Sequence, residues 1–412
     1  MPCSGGADTF AGVIPLDEAR QIVLDACRRR PPITVPLSEA NRLVLADEVV
    51  SAETVPPFSN SAVDGYAVIA EDLASVPVEL EVIGEVAAGA VGDMVVGRGQ
   101  AVRIMTGAPI PDGADAVVMV EDTERLGADR VRISASVPPG AAVRHAGEDV
   151  QPGDLLFEAG TEIRPAVVGV LAGVNAREVP VYPRLRVAVL STGDELVTDG
   201  SELLPGQIRE SNLSMLVSLV AEAGCLVTDL GVVPDDEDRV AEVLTAAVVD
   251  HDAIVTSGGV SMGDYDVIKA VLNRIAQMRW MQIAIKPAKP FAFGLLEGVP
   301  VFGLPGNPVS SLVSFEMIAR PALRQMMGHH DLGRRQVTGV LAEPVVRRPD
   351  GKEHLIRVIT DFAADGTCSV RPVKAQGSHQ LAQTALADAI AVVPDGDGLA
   401  AGSELVVHLL ID

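Results

Sequence analysis

DAIVTSGGVSMGDYDVIKAVLNRIAQMRWMQIAIKPAKPFAFGLLEGVPVFGLPGNPVSS, residues Asp252–Ser311, holds three short apolar runs, each followed by a turn-rich loop. The loops are SGGVSMGDYD (Ser257–Asp266), IKPAKPFAF (Ile285–Phe293) and GLPGNPVSS (Gly303–Ser311), and the last opens into a helical pattern. Strand, glycine-rich loop and helix repeated in this way predict an open α/β sheet. Ligands of such sheets bind outside the carboxyl ends of the strands, where these loops fall.

Each loop offers something to an anionic ligand. Ile254 and Val255 run directly into Ser257, Gly258 and Gly259, and glycines let a backbone approach closely with its N–H groups turned outward. In the third loop Asn307 is the expected N-cap and Pro308 the first helical residue. The amides of that helix start, with the hydroxyls of Ser310 and Ser311, read as an anion site. Between them Lys286 and Lys289 each precede a proline on a stiff segment, and Asp264 and Asp266 add carboxylates. Any one loop reads equally well as a tight turn with solvated lysines. Three on consecutive strand ends point to a site.

The rest of the chain is built around this unit. LRVAVLSTGDELV (Leu185–Val197) begins it, with Asp194 and Glu195 at the tip of its strand. A helix is expected from about 211 to 222, capped by Ser211 and stopped by Gly224. CLVTDLGVV is the next strand, and PDDED (Pro234–Asp238) opens the next helix, where Asp235 and Asp236 fit ordinary capping. Upstream, Ala19, Ile22, Val23 and Ala26 mark a helix that breaks at Pro31-Pro32. PPFSNSAVDGYAV (Pro56–Val68) follows, where Asp64-Gly65 reads as a hairpin turn. Residues 77–149 are Val-rich runs between Gly, Pro and Asp clusters, an all-β pattern. The pattern turns helical again around 151–184, so the two flanks are expected to meet as one discontinuous domain, 10–55 with 150–184, around an inserted β domain, 56–149. The α/β domain spans 185–327, and 334–412 reads as a small C-terminal β-barrel-like domain. The fold class is therefore multidomain α/β plus β, with a three-layer α/β domain at its centre.

Bulk properties narrow the function. A net charge of −24 and a pI near 4.6 argue against nonspecific nucleic-acid or acidic-membrane partners. No apolar run reaches membrane-spanning length, and MPCSGGADTF lacks the basic-then-apolar order of a signal peptide. Cys3, Cys27, Cys225 and Cys368 are scattered without ligand-like spacing, as expected of free thiols in a reducing cytoplasm.

The chain also resembles a known family. PPFSNSAVDGYAV, RIMTGAPIPDGADAVV, AGEDVQPGD, LSTGDELV, SNLSMLVSLVAEAG, SGGVSMGDYD, IKPAKPFAF, LPGNPVSS and QGSH occur here in the order and spacing of the molybdopterin molybdenumtransferases, the MoeA family that includes the E domain of gephyrin. The resemblance covers nearly the whole length. It implies an L-shaped homodimer of four-domain chains that inserts molybdate into adenylylated molybdopterin, with Mg²⁺, releasing AMP and molybdenum cofactor. It also implies transient contact with the molybdopterin adenylyltransferase and with acceptor molybdoenzymes.

Matched motif by motif, the implied catalytic positions are Asp64, Thr106, Asp149, Glu195, Asp235 and Asp266, with Glu195, Asp235 and Asp266 as metal ligands. The implied substrate contacts are Ser257, Gly258, Gly259, Ser261, Lys286, Lys289, Gly306, Asn307, Arg357 and Ser378. The residue types suit the chemistry. Molybdate needs cationic and hydroxyl donors, a pyrophosphate-bound cation needs hard oxygens, and displacement at phosphorus needs positioning and charge neutralisation. Asp64, Thr106 and Asp149 lie outside the α/β domain and are expected to reach its site across the dimer interface. Departures from the family pattern are Gln282 and Ala288, where lysine and glycine are common, Lys352 in place of a frequent arginine, and the helix ending LAGVNA. Two other classes share some of these features: another nucleotide enzyme on the same α/β domain, and a dimeric scaffold. Residues 10–184 and the C-terminal β domain separate the first from a stand-alone adenylyltransferase, and the intact carboxylates and lysines argue for catalysis over the second.

Overall fold

The computed structural model describes residues 12–90, 93–258 and 267–411. The chain forms two compact units, one of Met1–Ile33, Arg42–Ala46 and Pro180–Asp412, the other of Thr34–Asn41 and Asp47–Val179.

In the larger unit, strand Arg186–Thr192 lies between the parallel strands Leu226–Val233 and Ala253–Ser257. Val299–Leu304 continues the sheet in parallel, and Pro290–Leu296 and Gln277–Ile283 extend it antiparallel. Alternate residues of one strand go to opposite cores. Val187 and Val189 pack with helices Leu16–Ala26, Asn212–Glu222 and Pro308–Ser314, while Ala188 and Leu190 pack with Glu237–Asp250 and Val267–Ile275. Both faces are covered, which is why these strands read as unbroken apolar runs. The result is the expected three-layer α/β domain.

Residues 12–33 leave the flank with which the sequence pattern grouped them. Val13–Ile14 adds a parallel strand beside Gln277–Ile283, and Ala19 and Val23, one turn apart on helix Leu16–Ala26, are fully buried against the α/β core. The amphipathic stripe was legible; its partner surface was not. Arg20 Nε also donates to the Met317 carbonyl at 3.0 Å. That carbonyl lacks its usual helical donor because residue 321 is proline, and the helix around it widens into a π turn, Phe315–Ala319.

Within the same unit, Gln336–Leu341, Glu353–Phe362, Cys368–Pro372, Ala389–Val393 and Glu404–Leu409 close into a five-stranded barrel, since Glu353–Phe362 pairs with both Cys368–Pro372 and Ala389–Val393. Leu341, Val358, Val370, Ala391, Val393 and Val407 fill it. The short strand Ile285–Lys286 pairs in parallel with Glu353–His354, which joins the lysine loop to the barrel.

The smaller unit is centred on a six-stranded sheet ordered Thr123–Arg125, Arg130–Ile133, Val78–Val86, Gln100–Ile104, Gly65–Val68, Ala116–Met119. Gly65 is not a hairpin turn residue, contrary to the expectation from Asp64-Gly65. It starts a buried strand, and a Cβ there would collide with the Val118 carbonyl. Among the described residues Cys27, Cys225 and Cys368 are free, buried thiols, and burial pushes Cys27 and Cys225 up to about 12. No helix of the described residues is long and apolar enough to cross a membrane.

Candidate functional site

The strands Arg186–Thr192, Ala253–Ser257 and Val299–Leu304 end side by side, and strand order switches direction between the first two. Close approach there requires glycine. Gly258 has φ +94°, and a Cβ on it would crowd the Thr192 carbonyl oxygen at 3.1 Å; Gly193 has φ +147°, a backbone that other residues rarely adopt. Gly306 and Asn307 are exposed at the third strand end. Asn212 Nδ2 donates to Ser257 Oγ at 2.8 Å and to the Gly306 carbonyl at 2.7 Å, linking two of the loops.

Carboxylates gather on one side of this crevice. Asp194 Oδ1 accepts from the Asp235 N–H at 3.1 Å. The Asp235 carboxyl is pushed above the usual range, first by desolvation and then by the charge of Asp194, with Glu195 adding to it. Capping explains Asp236, whose Oδ1 accepts from Arg239 N–H at 2.8 Å, but not Asp235. Glu195 and Asp235 thus supply hard oxygens whose mutual repulsion a divalent cation would relieve. No three His, Cys, Asp or Glu side chains among the described residues form a metal-holding group. Gly259, Ser261, Asp264 and Asp266 lie outside the described residues.

The third loop differs from its expected role. The Val309 N–H donates to the Ser378 carbonyl at 3.0 Å, and the Ser311 N–H to the Asn307 carbonyl at 2.9 Å. Asn307 makes no side-chain cap, and Ser310 and Ser311 are buried. One amide of this helix start, Val309 N–H, is therefore taken up by the Ser378 loop, while the Ser311 bond to Asn307 is the first of the helix itself. Ser211 likewise makes no side-chain cap; Glu210 takes its place, accepting from the Leu213 N–H at 2.7 Å and from Ser191 Oγ at 3.1 Å.

The cations are placed differently from one another. Lys286 is exposed and pairs in register with His354, whereas Lys289 is half-buried. Ala288 between them takes φ +73°, the left-handed region favoured by glycine. Burial, with the charges of Arg347 and Lys286, holds the His354 imidazole below its usual range against the opposing pull of Asp350, whose Oδ2 lies 3.2 Å from Nε2. Arg357 is 1% exposed, and among the described residues its guanidinium donates only to backbone carbonyls, Leu355 at 3.2 Å and Gly377 at 3.5 Å. Among the described residues no carboxylate lies against it and its Nε has no partner, and desolvation pulls its pKa down to about 10. Gln376 locks the strand beside it, accepting from Arg357 N–H at 2.9 Å and donating to its carbonyl at 2.8 Å. An anion is what such a guanidinium lacks.

A cleft of about 410 Å³ at the opposite end of the sheet sets Arg28, Arg29 and Arg30 against Asp25 and Asp252, with Arg30 bonded to Asp252 at 2.9 Å. It is not near the strand ends that carry these groups.

In the smaller unit, three loops are stitched together. Ser61 pairs with Val143, the Gly107 N–H donates to the Ser61 carbonyl at 2.8 Å, and Val55 and Val150 form a bridge. This brings the segments of Asp64, Thr106 and Asp149 side by side. Thr106 donates to Asp64 Oδ1 through its N–H at 2.7 Å and its hydroxyl at 2.8 Å. The Asp149 N–H donates to the Val55 carbonyl at 3.0 Å, leaving an exposed carboxylate.

Comparison with known proteins covers both units. Residues 14–175 match the MoeA N-terminal region (domain I and II), 188–325 a probable molybdopterin binding domain, and 338–410 the MoeA C-terminal region (domain IV). Over 403 residues the chain is 40% identical to Molybdopterin molybdenumtransferase 2 of Mycobacterium tuberculosis (strain CDC 1551 / Oshkosh), covering 95% of this chain and 98% of that one. The chain belongs to the molybdopterin molybdenumtransferase family. The Haemophilus influenzae member is 37% identical, over 97% of this chain and all of its own. A crystal structure of the molybdopterin biosynthesis MoeA protein from Pyrococcus horikoshii OT3 superposes with a TM-score of 0.79 at 32% identity, covering 97% of this chain and 100% of that one. Family membership therefore extends over the α/β domain, the barrel and the smaller unit alike.

The sequence reading placed Asp194 at a strand tip without a role, and missed Asn212, Glu210 and His354. Asn212 stood in the quoted motif SNLSMLVSLVAEAG but was passed over for its neighbour Ser211 as a cap. His354 became visible only through strand pairing with Lys286.

Proposed function

We propose that this chain inserts molybdate into adenylylated molybdopterin, with release of AMP, as a step of molybdenum cofactor synthesis. The observation that carries the reading is the crevice at the strand switch point, where backbone glycines, the Glu195–Asp235 carboxylates and the Asn212-held loops meet in a domain of the molybdopterin-binding family. Glu195 and Asp235, with Asp266, would hold Mg²⁺, which neutralises pyrophosphate charge when bound. Lys286, Lys289 and the buried Arg357 supply positive charge for the molybdate oxyanion, and Ser378 lies on the loop next to Arg357. The chain's own residues position the two anions; a water oxygen forms a bond to phosphorus as the bridging phosphorus–oxygen bond of the pyrophosphate breaks, and AMP leaves.

The working form in this reading is a cytoplasmic homodimer in which Asp64, Thr106 and Asp149 complete the site of the second subunit. Mixed dimers of a D64A chain and a D266A chain then regain one intact site, and a mixture no more active than either variant alone contradicts the arrangement. The reaction itself is tested by incubating the protein with adenylylated molybdopterin and molybdate, then reading the reconstitution of an apo-molybdoenzyme. Reconstitution that needs both substrates is the expected result.

A further inference from the structure

Two loops of the substrate crevice are held by one side chain that belongs to neither. Asn212, the first residue of helix Asn212–Glu222, gives Nδ2 to Ser257 Oγ at 2.8 Å and to the Gly306 carbonyl at 2.7 Å. The amide's orientation follows from its partners. A backbone carbonyl can only accept, so nitrogen faces Gly306, and its second hydrogen goes to Ser257. A hydroxyl that accepts from Asn212 keeps its own proton for another acceptor. Ser257 is 2% exposed at the end of its strand, and among the described residues nothing receives that proton. Helix capping does not account for Asn212, because Glu210 already accepts from the Leu213 N–H.

We infer that Asn212 is a positioning residue: it fixes the spacing of Ser257 and Gly306 and orients the Ser257 hydroxyl as a donor to an acceptor oxygen of the substrate. The inference rests on the crevice being the site proposed above. Its chemistry is directional. Asn212→Asp keeps the size of the side chain but has no hydrogen to give, so it faces the Gly306 carbonyl with like charge and draws the Ser257 proton to itself.

The test compares wild type, N212D, S257A and the double variant in AMP release from adenylylated molybdopterin with saturating molybdate and Mg²⁺, with thermal melting of each. N212D and S257A are each expected to raise KM about ten- to a hundredfold, as when one partner of a buried hydrogen bond is lost. Because kcat changes less and both act through one hydroxyl, the double variant is expected to be no worse than the more impaired single variant. A wild-type KM in a normally melting N212D, or losses that simply multiply in the double variant, overturns the inference. Should N212D melt early, S257A decides: a wild-type KM there overturns it as well. A wild type that does not turn over this substrate overturns the functional reading, and this inference with it.

Discussion

Thr106 places both its backbone N–H and its hydroxyl on a single oxygen of Asp64, Oδ1, at 2.7 and 2.8 Å. The N–H is the larger influence, the hydroxyl the next, and together with Arg103 they hold the Asp64 carboxyl below the usual range. A carboxyl lowered in the folded state stabilises it above the unfolded pKa of about 3.9 and loses that contribution as pH falls through the folded value. Thr106→Val removes the hydroxyl and keeps the N–H. The Asp64 titration, followed by carboxyl NMR, is expected to move up part of the way toward its unfolded value. A titration unchanged from wild type contradicts the assignment.

Asp235 has the opposite sign. Its raised pKa means that the charged form is disfavoured in the folded protein, so stability is lost as pH rises from the unfolded value through the folded one. Asp235→Asn removes that repulsion at neutral pH while deleting a proposed metal ligand. The variant is expected to melt at the wild-type temperature or about 1–2 °C above it, the shift being small because the group is largely solvated. Added Mg²⁺ raises the melting temperature of wild type but not of the variant. Equal Mg²⁺ stabilisation of both excludes Asp235 as a ligand.

Arg357 carries charge in a buried setting, and among the described residues no carboxylate faces it. Replacing it by an apolar side chain of similar length relieves that cost, since buried charges are often matched or bettered by well-packed apolar residues. Arg357→Met is expected to keep or raise the melting temperature and to abolish the stabilisation that molybdate gives to wild type. Molybdate binding undiminished in R357M, measured by calorimetry, removes Arg357 from the oxyanion site.

Ala288 sits at φ +73° and is 3% exposed. Glycine there relieves a left-handed backbone worth about 1–2 kcal/mol, but loses a buried methyl of about 0.8 kcal/mol and adds about 0.4–1 kcal/mol of unfolded-chain entropy. The terms nearly cancel. Urea unfolding of Ala288→Gly is expected within about 1 kcal/mol of wild type, whereas the β-branched Ala288→Val, strained at this φ, unfolds at clearly lower urea. The KPAKP loop thus keeps the backbone of a glycine position with an alanine in it.

Much of this was legible in the residues. Alternation in Val187–Leu190, the strand-end glycines and the Ala19/Val23 stripe fix the α/β sheet and its helices. What local pattern cannot supply is the partner. Asp64-Gly65 has turn chemistry, yet Gly65 exists to let two strands approach beside Val118. Ser311 and Asn307 look like an anion-binding helix start, yet the Ser378 loop, about seventy residues away, occupies the Val309 N–H. Asn212 and His354 act through neighbours distant in sequence, so only the folded chain reveals them.

The proposed function places molybdate-dependent chemistry at the Glu195–Asp235 end of the crevice. The most direct measurement is AMP release from adenylylated molybdopterin, with and without molybdate and Mg²⁺, by wild type and by Glu195→Gln. Release by wild type is expected to need both additions and to be lost in the variant. Release indifferent to molybdate, or equal in the two proteins, contradicts it.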